Sequence, residues 1–351
     1  MAVRPQSGIR TYAPPMRTKR LQDQNPAKRT DGQPRPDMMR TAEIDGVSLR
    51  LAQPDTVPME WIGNEGVREQ LEAAWLVMEE RDIPLSPRLL GKPGTGKTTL
   101  AYAVARALDK DVYIFQCTMD TRPEDLVVTP VLGEHGRIAY HASPLVSALL
   151  NGGVCVLDEG NRMPEKSWAS LAPLLDQRRY VESVVAGIKI HAHPDFRLCV
   201  TMNDDASTYE LPEYIQSRLQ PQIELAFPSR NEEERILRLN VPMADDEVLG
   251  YVAEFLQKAH RVNLPFSSRD GVNILRYALK LSSLRKVPPT TLLHDAIGAV
   301  LGEEGLDFLD SGVPSSRTLE DELEEFDFDS DDESQGRLPW DEDETDDDLP
   351  M

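Results

Sequence analysis

The stretch Gly91-Lys92-Pro93-Gly94-Thr95-Gly96-Lys97-Thr98 constrains this chain more than any other. It fits G-x-x-x-x-G-K-[ST], the phosphate-binding loop. Glycines let backbone N–H groups turn inward around a polyphosphate with no Cβ in the way. Lys97 can reach the β- and γ-phosphates, and Thr98 can place its hydroxyl on Mg²⁺. The flanks suit the motif. Leu85 to Leu90 reads as a short strand running in, and Thr99 to Leu108 as a helix running out, its N-terminus toward the anion.

A second motif follows about sixty residues later. Val154-Cys155-Val156-Leu157-Asp158-Glu159 is an apolar strand ending in two carboxylates, the Walker B pattern. Asp158 is expected in the Mg²⁺ shell, and Glu159 is expected to orient and polarise an attacking water. A strand ending in a polar turn is the bland alternative, and the phosphate-binding loop upstream argues against it.

The rest of the chain supplies an α/β frame. Asn64 suits the N-cap of a helix with Val67, Leu71, Ala74, Trp75 and Met78 inward, ending near Asp82. Val112 to Cys117, Phe196 to Asn203 and Gln222 to Phe227 read as further strands. Val127 to Tyr140 reads as a hairpin turning at Gly133-Glu134-His135-Gly136, and Tyr180 to His193 as a second turning at Ala186-Gly187. Pro164 to Arg179 has the spacing of an amphipathic helix with Trp168, Leu171, Leu174 and Leu175 inward. From Ser229 the pattern is helical only, near 230–240, 245–261, 269–285 and 289–301.

Composition sets the outer limits. The net charge of -22 is unevenly placed: the Asp/Glu run over 320–348 contributes about -16, whereas residues 1–40 are basic and Pro-rich. Both ends lack the apolar content to offset ordering entropy, so they are expected to be disordered. The acidic balance argues against a nucleic-acid partner. No apolar run reaches the ~18 residues of a membrane span, and the N-terminus shows no apolar signal region. The reading is therefore cytoplasmic. Cys117, Cys155 and Cys199 sit in apolar strands without metal-ligand spacing, as buried reduced thiols do.

The residues carry a resemblance. The chain resembles an AAA+ ATPase of the MoxR-like branch taken broadly, with the MoxR proteins, the NorQ and CbbQ activators, the ATPase subunit of cobalt chelatase and the gas-vesicle ATPase. The likeness spans about residues 42–301. It rests on Gly91–Thr98, on the run Gly152 to Arg162, on Phe196–Asn203, on Leu211–Leu219 and on Ser268-Arg269. Lys92 and Gly160 depart from the usual pattern, and Asp204 is followed by no Pro.

The resemblance implies a fold and a set of roles. The fold is α/β: a three-layer AAA+ module with a parallel five-stranded sheet in the order 5-1-4-3-2, plus a C-terminal helical lid. The domains are expected at 1–41 (basic arm), 42–228 (nucleotide-binding part), 229–314 (lid) and 315–351 (acidic tail). By position, Asn203 resembles sensor 1, Arg218 the arginine finger acting on a neighbour, and Arg269 sensor 2. Ile62 and Gly63 fall where such proteins contact adenine. Gly91, Pro93, Gly94, Thr95, Gly96, Lys97, Thr98 and Thr99 would hold the ATP phosphates, with Mg²⁺ at Thr98 and Asp158.

The implied function is ATP-driven remodelling of a protein client by a ring, with six subunits as the family's stoichiometry. The client would carry a von Willebrand factor A domain, and the outcome would be complex assembly or metal loading. His135 and Ile188, in the two hairpins, are the candidate client contacts. A DNA-linked motor and a nucleotide-gated scaffold with little hydrolysis remain as alternatives.

Overall fold

Alternation along the central strands sends side chains to two faces, and both faces are buried. Val154 and Val156 pack in one apolar layer, while Cys155 and Leu157 pack in the other. That demands a sheet covered on both sides, as parallel sheets are. The computed structural model describes residues 41–56, 60–79, 81–133, 136–204 and 211–311. The basic arm and the acidic tail lie outside them, apart from Thr41, as do Glu134 and His135 of the first hairpin turn.

Five strands make the central sheet: β3 (Arg88–Gly91), β4 (Val112–Gln116), β7 (Val154–Asp158), β10 (Arg197–Asn203) and β11 (Gln222–Leu225). They are all parallel, in the order β11-β3-β10-β7-β4. This is the 5-1-4-3-2 order that the resemblance implies. Helices α1 (Glu65–Trp75) and α2 (Lys97–Ala107) cover one face, with Leu71, Trp75, Leu100 and Val104 buried against it. The other face carries α3 (Pro123–Leu126), α4 (Pro144–Asn151) and α5 (Glu165–Leu171).

The two hairpins are present, and one has a partner that the pattern did not announce. Strands β5 (Val128–Leu132) and β6 (Ile138–Ala142) pair with each other, and β6 pairs parallel with β2 (Val47–Arg50), itself the partner of β1 (Thr41–Ile44). Pro130 is tolerated because β5 lies at the edge of this second sheet. The other hairpin, β8 (Tyr180–Ser183) with β9 (Ile188–His191), forms a sheet of its own.

Three expectations need correction. Helix α1 stops at Trp75, not near Asp82, and Met78 is 83% exposed rather than inward. The stop is made by Arg197, whose Nε donates to the Trp75 carbonyl at 2.7 Å, while Trp75 Nε1 donates to the Leu198 carbonyl at 3.0 Å. Helix α5 ends at Leu171 because Pro173 cannot continue it. Leu174 and Leu175 are buried from the turn that follows. Ile188 is only 3% exposed, so it is core, not a contact residue; the exposed apolar groups of that hairpin are Val184 and Val185.

Helices α7 (Arg230–Asn240), α8 (Asp246–Arg261), α9 (Ser268–Arg285) and α10 (Leu293–Ser311) share a separate apolar core that includes Leu237, Leu256, Ile274 and Ile297. Helix α7 opens with a capping box between Ser229 and Glu232. A short 3-10 turn, Pro289–Leu292, precedes α10, which breaks at Gly302 and continues to Ser311, beyond the 289–301 expected. No helix among the described residues is long and apolar enough to cross a membrane.

Candidate active site

The carboxyl ends of the parallel strands bring the sequence motifs together. Register places Asn203 beside Gly91 and Gln116 beside Asp158. Ligands of open α/β sheets bind outside such strand ends, where the strand order reverses. Here the cleft is a cavity of about 720 Å³, within the range of a nucleotide-sized ligand. Its floor is Pro93 to Thr99 with Asp158, Glu159, Thr201 and Asn203, and its wall comes from α7 and α9.

The loop is held by its own lysine. Gly96 takes the left-handed conformation at φ 88° directly before α2, which turns the α2 N-terminus toward the cavity. Lys97 is nearly buried, and its Nζ donates to the carbonyls of Gly91 at 2.9 Å and Lys92 at 2.8 Å. Thr98 Oγ1 donates to Asp158 Oδ1 at 2.5 Å, and Thr201 Oγ1 donates to the same oxygen at 2.7 Å. A hydroxyl and a carboxylate on neighbouring elements are hard oxygen donors, the kind Mg²⁺ takes together with substrate phosphates. The residues present therefore fit a magnesium–triphosphate group, and Thr98 and Asp158 are the residues that would hold its metal.

Glu159 is tied on both oxygens. Asn203 Nδ2 donates to Oε1 at 3.0 Å; Gln116 Nε2 donates to Oε2 at 3.1 Å, and Arg162 Nε pairs with that oxygen at 2.8 Å. Its backbone is left-handed at φ 54°, a conformation rare outside glycine, and its N–H donates to Thr201 Oγ1. Asn161 fixes the turn from below by donating to the Asn203 carbonyl at 2.8 Å. Gln116, Arg162 and Thr201 are thus site residues that motif reading missed. A polar residue ending a strand next to the carboxylate strand was the available signal for Gln116.

The remaining candidates divide. Ile62 and Arg269 line the cavity, whereas Gly63 and Gly91 do not. Trp61 does, and its indole nitrogen lies 3.6 Å from where a Gly96 Cβ would stand, so the ring covers the start of α2. Ser267, just before α9, packs so tightly on Gly94 that a Cβ there would stand 2.4 Å from the serine Cβ. Arg218 is elsewhere. It follows α6 (Glu213–Gln216), with Nε 3.7 Å from Asp176 Oδ2. Arg178 clasps the same carboxylate, and chiefly its hydrogen bonds hold Asp176 down at a pKa of about 2.

The departures from the usual pattern have local reasons. Lys92 pairs with Asp204 at 3.3 Å, bridging the loop to the end of β10. Gly160 is required by space: a Cβ would stand 2.3 Å from Val200 Cγ1. The three cysteines are free and buried, and burial raises the thiol pKa of each.

Comparison with known proteins agrees with this geometry. Residues 88–219 match the family model of the AAA domain, dynein-related subfamily. The denitrification regulatory protein NirQ of Pseudomonas aeruginosa is 31% identical over 135 residues, which is 38% of this chain and 49% of NirQ. Protein CbbQ of Hydrogenophilus thermoluteolus is 30% identical over 135 residues, 38% of this chain and 48% of CbbQ. The chain spans about half the length of these curated relatives. Among solved structures, a point mutant of RuvB from Thermotoga maritima superposes with a TM-score of 0.50 at 18% identity, covering 70% of this chain and 73% of that one, a likeness of fold alone. Loop, carboxylate strand and strand order agree with these likenesses: residues 88–219 are similar to the AAA domain, and the relatives that the chain resembles include NirQ and CbbQ.

Proposed function

We propose that this protein hydrolyses ATP in the cleft between its sheet and its helical lid and uses the cycle to remodel a protein partner. The observation that carries the reading is the placement of Asp158 on Thr98 and of Glu159 on Asn203, at the strand ends facing the phosphate-binding loop. Lys97 and the α2 N-terminus would bind the phosphates. Trp61 and Ile62 would bound the base, and Arg269 would reach the phosphates from the lid. Magnesium would neutralise charge on the transferred phosphoryl group. Glu159 would orient the attacking water once one of its oxygens exchanges a side-chain partner for that water.

Arg218 and Arg178 lie away from the chain's own cavity and would serve a neighbour's nucleotide, which makes turnover a property of a ring. A hexamer is the stoichiometry that the resemblance implies. The relatives suggest the kind of work: NirQ is described as a denitrification regulatory protein. The partner implied by the family carries a von Willebrand factor A domain, and the exposed tips of the two hairpins would grip it. Leu132, Ile138 and Val184 offer apolar surface there.

The test separates binding from turnover. Lys97→Ala is expected to abolish ATP binding. Glu159→Gln is expected to bind ATP normally and release almost no phosphate. Near-normal hydrolysis by the Glu159 variant overturns the assignment.

A further inference from the structure

One buried carboxylate in the lid has no part in the chemistry above. Glu233, in the first turn of α7, is 0% exposed; Ser268 and Gln257 stand near its carboxyl, but neither oxygen meets a donor in good hydrogen-bond geometry. His260, in the last turn of α8, presents Nδ1 at 3.9 Å from Glu233 Oε2. The imidazole is fixed on its other sides. It stacks on Phe227, in the linker from β11 to α7, with ring centroids 3.9 Å apart and planes 4° from parallel. Its Nε2 lies 2.7 Å from the carbonyl oxygen of Phe266, just before α9. Beside it, Gln257 Nε2 donates to the Pro228 carbonyl of the same linker at 2.9 Å.

The hydrogen-bond chemistry fixes a proton count. A carbonyl only accepts, so His260 Nε2 carries a hydrogen. Nδ1 of the neutral ring is then a lone pair aimed at the carboxyl. At 3.9 Å the ring does not hydrogen-bond the carboxyl, so an ionised Glu233 would stand buried and uncompensated, and the neutral acid is the form this setting favours. Among the described residues, His260 is the only ionisable group within ion-pair reach of Glu233. On its own helix, Arg230 pairs with Glu234. From α9, Ser268 lies alongside the carboxyl, Asp270 is engaged by Ser267, and Arg269 is exposed.

We propose that Glu233 stands as a neutral acid beside neutral His260, and that this uncharged, dry positioning pair keeps the β11–α7 linker clamped to the start of α9. The start of α9 is where Ser267 packs on Gly94 of the phosphate-binding loop and Arg269 lines the cavity. The inference rests on the reading of that cavity as an ATP site. Burial outweighs the pull of Ser268 and Gln257 and pushes the Glu233 pKa up to about 7, while burial pushes His260 below its ordinary 6.5. The proton therefore resides on the carboxyl. A group whose folded pKa lies above its ordinary 4.5 contributes stability that is full below that value and is lost as pH rises through about 7. Above that pH a buried carboxylate confronts a lone pair. Both groups then need water, the clamp opens, and the lid's hold on the loop weakens.

The experiment uses the full chain and follows Mg-ATP affinity and thermal midpoint from pH 5 to 8.5. For the wild type, affinity is expected to fall roughly tenfold within a pH unit above the transition, as the competent fraction falls. Glu233→Gln is uncharged at every pH, so its affinity should be flat and close to the low-pH wild type. Its thermal midpoint should lose the wild-type decline between about pH 5 and 7. Equal pH slopes in the two proteins, or a pH-independent wild type, overturn the proposal. Should Glu233→Gln fail to fold, Glu233→Met, also uncharged throughout, supplies the same comparison. If no form binds ATP, the ATP-site reading fails, and the thermal profiles still decide whether Glu233 is held as a neutral acid in the fold.

Discussion

Adding one methyl group at Gly160 should destabilise β10, the strand whose Thr201 hydrogen-bonds Asp158. A Cβ on Gly160 would stand 2.3 Å from Val200 Cγ1 and 3.2 Å from the Trp168 ring. Val200 is fully buried in the middle of β10, hydrogen-bonded through its N–H to the Pro87 carbonyl, so it has little room to retreat. Overpacking of this kind costs about 1–3 kcal/mol. A loss of that size lowers the melting midpoint by a few degrees, at roughly 2–4 °C per kcal/mol for a domain of this scale. The next residue, Thr201, bonds both Asp158 and the Glu159 N–H, so a displaced β10 should also slow ATP turnover. Urea and thermal unfolding of Gly160→Ala, Val200→Ala and the double variant separate the clash from other effects. Val200→Ala alone leaves a cavity and costs about 1–3 kcal/mol. The double variant should be more stable than the sum of the two losses by about 1–2 kcal/mol, because one change makes room for the other. A Gly160→Ala protein within about 0.5 kcal/mol of wild type, or strict additivity in the double variant, refutes the reasoning.

Two more outcomes are expected at the nucleotide site. Arg218→Ala should retain ATP binding and lose about 10³-fold in hydrolysis; mixing it with Lys97→Ala should restore part of the rate, and a strictly monomeric wild type with full activity contradicts the trans role. Trp61→Ala should weaken nucleotide affinity about tenfold, whereas Trp61→Phe keeps a stacking face and most of the affinity; unchanged affinity in the alanine variant removes Trp61 from the site.

The parts of the site that were legible in sequence are those whose chemistry is local. Lys97 and Thr98 lie within one loop, and Asp158 and Glu159 end one strand, so spacing alone carried them. Gln116 and Arg162 were not legible because their meaning depends on which strands are neighbours. Gln116 matters only because β4 pairs with β7 in a register that sets it beside Asp158. The strand order came from family resemblance; hydrophobic alternation says that a strand is buried, not beside which strand it lies. The pairing of β2 with β6, joining Leu49 to Tyr140, was hidden for the same reason. Helix ends were misjudged where a distant residue stops the helix, as Arg197 does at Trp75. Periodicity also ran through Pro173, because Leu174 and Leu175 remain buried after α5 has ended.

The site already gives each reactive group a partner, and this bears on how easily it could cycle. Lys97 donates to two loop carbonyls, Thr98 to Asp158, and Glu159 receives Asn203, Gln116 and Arg162. Entry of a magnesium–triphosphate group would then exchange partners and uncover no buried charge. Each exchange of one hydrogen bond for another is worth only about 1 kcal/mol, whereas stranding a buried ion costs several. The reverse exchanges on product release are correspondingly cheap, and neither nucleotide state is locked by its own polar contacts. The larger difference between states must then come from the lid, where Ser267 bears on Gly94 and Arg269 lines the cavity. The Glu233–His260 pair sits where that difference is set, at the linker that joins the lid to β11. A neutral pair that stays dry holds the lid at one position relative to the loop; a charged one calls for water and releases it.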